Sequence, residues 1–254
     1  MTQFIFISSC SSDGPVMEQP EKIYYDLAQR RMKANNYFSA IEALQAIETN
    51  YPFGRYAEQA QSELIYAYYM NGEDEASHEA AEKFIRLNPR HPNIDYAYFM
   101  RGISSYTRDK GIFARVFKRD LSDRDISGAK QAFGELSEFL TRFPQSQYAP
   151  YASQRLIYLR ALIAKNELVV AEYYLRRKAY VAALRRAKYV IENIPNTSET
   201  IRALTIAREC YKQLGYLELM EDIDSVIVMN GGVISEPQKK SSWNFFSRNA
   251  PAPD

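Results

Sequence analysis

Four tripeptides ending in proline constrain this chain more than any other feature: Asn50-Tyr51-Pro52, Leu87-Asn88-Pro89, Arg142-Phe143-Pro144 and Asn193-Ile194-Pro195. The same offsets before each proline carry Ala40, Leu44 and Ile47; Ser77, Ala81 and Phe84; Ala132, Leu136 and Phe139; Ala183, Ala187 and Val190. Spacings of four and three place each trio on one face of a helix. The small residues admit a neighbouring helix at close range, and the proline ends the run because it cannot continue the hydrogen-bond ladder. A low glycine count, 10 in 254 residues, agrees with an all-helical chain, since glycine costs about 1 kcal/mol relative to alanine inside a helix.

A small-apolar-apolar second helix closed by proline is the pattern of a tetratricopeptide repeat, whose period is about 34 residues. First helices fit upstream. Tyr24, Leu27 and Ala28 fill the packing positions before Pro52, and Leu64, Ile65 and Tyr68 those before Pro89. In the third unit a helix beginning near Asp95 supplies Tyr98 and Gly102, and an insertion of roughly residues 108–127 precedes the second helix. The fourth unit has Val170, Ala171 and Tyr174, preceded by a further helical stretch from Pro150 to Lys165. A fifth, with Ala207, Cys210 and Ile223, lacks the closing proline, as a terminal repeat does. The expected fold is all-α, a tetratricopeptide-repeat superhelix of about five helix pairs with an insertion in the third. The expected repeats are 21–54, 58–92, 95–147, 150–196 and 197–230, with a disordered tail over 231–254 that holds Trp243, Phe245 and Phe246.

Composition removes several function classes. With 32 basic against 31 acidic side chains, the chain lacks the basic surplus that nucleic-acid binding needs. No apolar run approaches the roughly 18 residues of a membrane span. Two distant cysteines, Cys10 and Cys210, make neither a disulfide framework nor a CxxC-type zinc site. No phosphate loop, HExxH or GxSxG is present. The two histidines read as ordinary: His78 as a surface residue on a polar helix, His91 as part of a connecting turn. The expectation is a non-catalytic protein with no metal and no cofactor.

Two surfaces stand out for binding. First-helix positions 2, 5, 9 and 12 of such repeats line the concave groove. Here they hold Tyr25 and Met32, then Tyr66 and Tyr69, then Tyr96, Phe99, Ile103 and Tyr106. Such a ladder suits an extended segment bearing aromatic side chains, because tyrosine and phenylalanine offer large contact area at little rotamer cost. Between Tyr173 and Ile191 lie Arg176, Arg177, Lys178, Arg185, Arg186 and Lys188 without one acidic residue. Arg186 falls about 60° from Ala183 around the helix. Its stem is expected along the apolar seam, with the guanidinium reaching out as a fork for a partner carboxylate.

Near the start, Ile7-Ser8-Ser9-Cys10 resembles a bacterial lipobox, with a short apolar stretch, Phe4 to Ile7, ahead of it and a Ser, Asp, Gly and Pro tether behind. Residues 1–20 therefore read as a truncated signal, lipobox and tether, with Cys10 the candidate lipidation site.

Longer strings go beyond a generic repeat. Tyr51-Pro52-Phe53-Gly54-Arg55-Tyr56, Leu64-Ile65-Tyr66-Ala67-Tyr68-Tyr69 and Phe84-Ile85-Arg86-Leu87-Asn88-Pro89 resemble the wording of the BamD family. So do His91-Pro92-Asn93-Ile94-Asp95-Tyr96, Met100-Arg101-Gly102, Ser122-Asp123-Arg124-Asp125 and Val170-Ala171-Glu172-Tyr173-Tyr174. That family is the lipoprotein subunit of the outer-membrane β-barrel assembly machinery, and the resemblance covers roughly residues 20–195. It implies a scaffold lipid-anchored to the outer membrane through Cys10 and facing the periplasm. The scaffold would bind BamA and other subunits of the complex, and C-terminal signals of unfolded outer-membrane proteins. It also adds Tyr51 to the groove candidates and marks Arg177 and Arg186 as contacts for BamA. The other reading of the same pattern is a generic periplasmic repeat adaptor in cell-wall or pilus assembly.

Overall fold

The computed structural model describes residues 21–108 and 126–233. Cys10, the Ser122–Asp125 string, most of the 108–127 insertion and the Trp243–Phe246 motif lie outside the described residues. Among those described are ten helices and no strand: α1 (Glu21–Lys33), α2 (Tyr37–Asn50), α3 (Ala57–Asn71), α4 (Asp74–Leu87), α5 (Ile94–Arg108), α6 (Ser127–Arg142), α7 (Ala149–Arg176), α8 (Tyr180–Asn193), α9 (Thr200–Leu214) and α10 (Leu217–Met229). They form five consecutive pairs. The chain divides into two compact units, and the division falls within α7, between Ile157 and Tyr158.

All twelve residues of the four trios are fully buried, at 0% exposure. In every case the helix ends two residues before the proline. The intervening residue (Tyr51, Asn88, Phe143 or Ile194) leaves the helical region, with φ between −123° and −133°. A following proline disfavours the helical conformation of the residue before it. Each of these four backbone N–H groups still donates to the carbonyl of the last trio residue: Ile47, Phe84, Phe139 or Val190. The trio thus sets the burial and the proline just beyond it sets the termination.

Within the first unit, α5 and α6 approach closely at Gly102, where an added Cβ would lie 2.7 Å from Leu136 Cγ. Ser77 takes the small trio position in α4 and satisfies its hydroxyl by donating to the Ile65 carbonyl at 2.9 Å, while Ser104 Oγ donates to Ser77 Oγ at 2.8 Å. The turns joining α1–α2, α3–α4, α7–α8 and α9–α10 each use one left-handed residue, Asn35, Gly72, Lys178 and Gly215. Those connections are two or three residues long. The third pair instead joins α5 to α6 through residues 109–126.

In the second unit Cys210 is fully buried on α9, and burial pushes its thiol up to about 11, so it packs as a neutral apolar side chain. One expectation needs correction. The stretch from Pro150 and the fourth pair's first helix are not separate helices but one helix of 28 residues, α7. No glycine or proline interrupts the chain from Tyr151 to Arg176, so nothing stops propagation. At the far end α10 closes without proline: Gly231 takes φ +75°, and the Gly232 N–H donates to the Ile227 carbonyl at 2.9 Å.

Candidate functional site: a tyrosine-walled cleft

An open cleft of about 640 Å³ lies in the first unit. Its aromatic walls are Tyr37, Tyr66, Tyr96 and Tyr148, with Met32 beside them and Ser62, Glu63, Asn93, Asp95 and Gln147 as polar lining. Lys33, the last residue of α1, and Asn35, in the α1–α2 turn, complete the lining. Tyr66 and Tyr37 meet edge to face with centroids 6.0 Å apart, and Tyr66 keeps 41% of its surface exposed. Tyr96 sits 5.8 Å from Tyr148. Burial raises the Tyr66 hydroxyl above its ordinary range, helped by its bond with Tyr37, and burial does the same to Tyr96. Both are therefore neutral hydrogen-bonding groups at physiological pH, with ring surface to offer a ligand.

The groove register is met only in part. Met32, Tyr66 and Tyr96 line the cleft. Tyr25 stands behind it, stacked on Tyr56 at 4.5 Å and donating its hydroxyl to Glu63 Oε1 at 2.9 Å. Tyr51 is half-buried with its ring 6.4 Å from Tyr24, and half-buried Tyr69 does not line the cleft. Phe99 and Tyr106 are buried and present no groove surface, nor does Ile103. Tyr148 and the start of α7 cover Phe99 and Tyr106: Phe99 stacks flat on Tyr148 at 4.9 Å and meets Tyr151 edge-on, and Tyr106 lies under the Arg155 guanidinium at 4.6 Å. The sequence reading missed Tyr37 and Tyr148, which flank turns (Tyr37 opens α2 and Tyr148 immediately precedes α7). An aromatic next to a helix start was the available signal.

The turn after α2 explains one family string. Pro52 follows the helix, and Gly54 leaves room where a Cβ would lie 2.3 Å from Glu21 Oε1. The Glu21 carboxylate then accepts from the backbone N–H groups of Arg55 and Tyr56 at 3.1 and 2.6 Å, capping the start of α3.

His78 is not the surface residue expected from its polar neighbours. It is buried against α6, with Nε2 2.9 Å from Glu135 Oε1. Glu135 also accepts from Ser105 Oγ at 2.7 Å and Gln131 Nε2 at 3.0 Å. Glu82 joins them as the third member of the group His78–Glu82–Glu135, whose ligand-capable atoms lie within 4.8 Å of one another. Protein donors already engage both Glu135 oxygens, so the arrangement acts as a hydrogen-bond network tying α4, α5 and α6 together.

The bond to Glu135 raises the His78 pKa against the opposing pull of burial; Glu82 raises it further and Arg101 lowers it. Burial favours protonation of Glu135, but donation from His78, Ser105 and Gln131 outweighs it and holds the carboxyl below its ordinary range. The His78 contribution to stability is complete below the ordinary histidine value of 6.5 and is lost as pH rises through its raised native value. The Glu135 contribution is present above 4.5 and is lost as pH falls through its depressed native value. Urea unfolding is therefore expected to show greatest stability from this pair between those limits. His78→Gln, which keeps a neutral partner for Glu135, is expected to flatten the decline on the alkaline side. An unchanged alkaline decline in that variant would disprove the assignment.

In the second unit, a cleft of about 600 Å³ is lined by Tyr174, Lys178, Tyr180, Val181, Arg185, Arg186 and Leu214, among others. Arg177 is exposed, its guanidinium 5.0 Å from the Tyr173 ring centroid. Arg186 differs from expectation: Nη1 donates at 2.8 Å to Glu167 Oε2, whose side chain is 4% exposed. One nitrogen of its guanidinium is thus engaged within the chain by the buried Glu167 carboxylate on α7, while nearly half of the side chain stays exposed. Arg185, Lys178 and Arg177 have no carboxylate partner among the described residues.

Both clefts lie inside residues 17–225, which match the family model described as "YfiO: Outer membrane lipoprotein". The chain belongs to that family. Among relatives of this lipoprotein family, the outer membrane protein assembly factor BamD of Vibrio cholerae is 36% identical over 222 residues, 87% of this chain and 92% of that protein. The factor of the same name from Neisseria meningitidis serogroup A is 34% identical over 88% of this chain and 86% of its own. That from Xylella fastidiosa strain 9a5c is 33% identical over 96% and 84%. No described helix is long and apolar enough to cross a membrane.

Proposed function

We propose that the protein is a non-catalytic scaffold of outer-membrane β-barrel assembly, attached to the outer membrane on its periplasmic side by acyl chains on Cys10. In this reading it holds extended, aromatic-bearing segments of unfolded outer-membrane proteins in the tyrosine cleft and meets BamA through the basic face around Arg177 and Arg186. The observation that carries it is the cleft itself: four tyrosines around an open volume of about 640 Å³ in a relative of named assembly factors. Aromatic walls grip side chains without fixing their identity, which suits a scaffold with many clients. Two acyl chains would be needed for stable anchoring, since one holds a protein only marginally.

The test is binding of a fluorescent peptide taken from the last strand of an outer-membrane barrel protein. Tyr66 is the exposed wall of the cleft, and losing a ring contact there is expected to weaken binding about tenfold. Tyr66→Ala should do this with the helical circular-dichroism signal unchanged. Wild-type affinity in Tyr66→Ala, or no binding by the wild type, would remove the client-binding reading.

A further inference from the structure

We infer that the segment carrying Trp243, Phe245 and Phe246 docks on the outer face of α10, so that the chain's own tail closes the end of the repeat array. The last unit of such an array needs a polar outer surface, because no further repeat buries that face. α10 does not supply one by itself. Its inner side is Met220, Ile223 and Ile227, the first two half-buried and the third buried. Leu219, Asp222, Val226 and Met229 follow one another at spacings of three, four and three, which makes a second stripe about 110° around the helix. All four are exposed, Met229 to 83% of its surface, and three of the four are apolar. Leu217 and Val228 are exposed as well.

Charge and reach select the occupant. α10 carries Glu218, Glu221, Asp222 and Asp224 and no basic residue. Arg208 on α9 takes Asp224, whereas Glu218, Glu221 and Asp222 are exposed and form no ion pair among the described residues. A second copy of this helix would set like charges against one another. From Gln238 to Arg248 the sequence offers the complement: Lys239, Lys240 and Arg248, the three large rings, and no acidic residue. The rings suit Leu219, Val226 and the Met229 thioether, and the cations suit the three carboxylates. The tail also starts in the right place. The described residues end at Val233, just past α10, and the exit is held there by the Gly232 N–H donating to the Ile227 carbonyl at 2.9 Å. Residues 234–242 separate Val233 from Trp243. Fully extended they reach about 30 Å, more than the length of α10, about 20 Å. A tether so short holds the rings at an effective concentration of about 1 mM, so a contact of modest intrinsic affinity suffices to keep them docked.

Trp243 is the only tryptophan in the chain, so the full-length protein reports on its own tail. With excitation at the red edge, where tyrosine is silent, its emission is expected to be blue-shifted relative to a peptide of residues 234–254. Acrylamide should quench it several-fold less than the peptide. Met229→Lys and Asp222→Lys, both at exposed positions, should each move the two readings toward the peptide values with the helical circular-dichroism signal unchanged. Replacing Phe245 and Phe246 by alanine should do the same while leaving α10 untouched, and the wild-type protection should hold on dilution. Peptide-like emission and quenching in the wild type would overturn the inference. Protection that survives both α10 variants would overturn it by putting the tail elsewhere, and protection lost on dilution would overturn it in favour of contact between two copies.

Discussion

Arg186→Glu is expected to destabilise the second unit before it reports on any partner. The Glu167 carboxylate is almost completely buried and receives the Arg186 guanidinium at 2.8 Å. Reversing that charge leaves one anion buried and sets a second beside it. Removing one member of a buried pair costs about 3–5 kcal/mol. The expected loss lies near about 3 kcal/mol, because almost half of the Arg186 side chain is in water and exposed pairs are screened. Urea unfolding measures it, and adding Glu167→Gln to Arg186→Glu should recover a large part by removing the repulsion. An unchanged midpoint in Arg186→Glu would show that the pair does not support the fold. The cleaner probe of BamA docking is Arg185→Glu, since Arg185 lines the basic cleft and has no carboxylate partner among the described residues. That change should weaken co-purification of BamA while leaving the unfolding midpoint in place. Retained BamA in Arg185→Glu would argue against docking through this face.

Phe99→Ala is expected to be as damaging in the first unit, and to reach the cleft indirectly. Phe99 is buried between Phe139, at 5.8 Å, and Tyr148, on which it stacks with rings 11° from parallel. Truncating a packed phenylalanine costs about 3–5 kcal/mol, combining lost burial with the cavity left behind. Tyr148 is a wall of the cleft, so removing the plate behind it frees that wall to shift. Leu44→Ala is the control: Leu44 is fully buried in the core cluster around α1, α2 and α3 and does not line the cleft. Measured well below both melting temperatures, Phe99→Ala should lose client-peptide affinity and Leu44→Ala should keep it. Equal affinities in the two would confine Phe99 to stability alone.

Spacing made the repeat array legible because each second helix has one buried face and a proline just past its end, and both leave sequence marks. Ala183, Ala187 and Val190 could be placed in a core without knowing what covered them. The cleft was harder. A register of 100° per residue assigns Tyr66, Tyr96 and Phe99 alike to the groove side, but cannot say whether a later helix covers them. Rings of Tyr148 and Tyr151 cover Phe99, while Tyr66 has no such cover. Arg186 illustrates a second kind of limit: its partner lies 19 residues earlier on another helix, and no periodicity links the two. His78 was misjudged for the same reason, since Glu75 and Glu79 describe its own helix whereas Glu135 on α6 sets its environment.

Four helix pairs turn back on two or three residues, whereas α5 and α6 are separated by residues 109–126. They pack nonetheless, through Gly102 against Leu136, Phe99 against Phe139 and Arg101 with Glu138. Lengthening a connection from about three residues to about eighteen costs only about 1.5 kcal/mol of closure entropy, which such an interface offsets. The α5–α6 junction is thus a splice port already in use. A fluorescent protein or an affinity module grafted there would inherit a joint that the array tolerates.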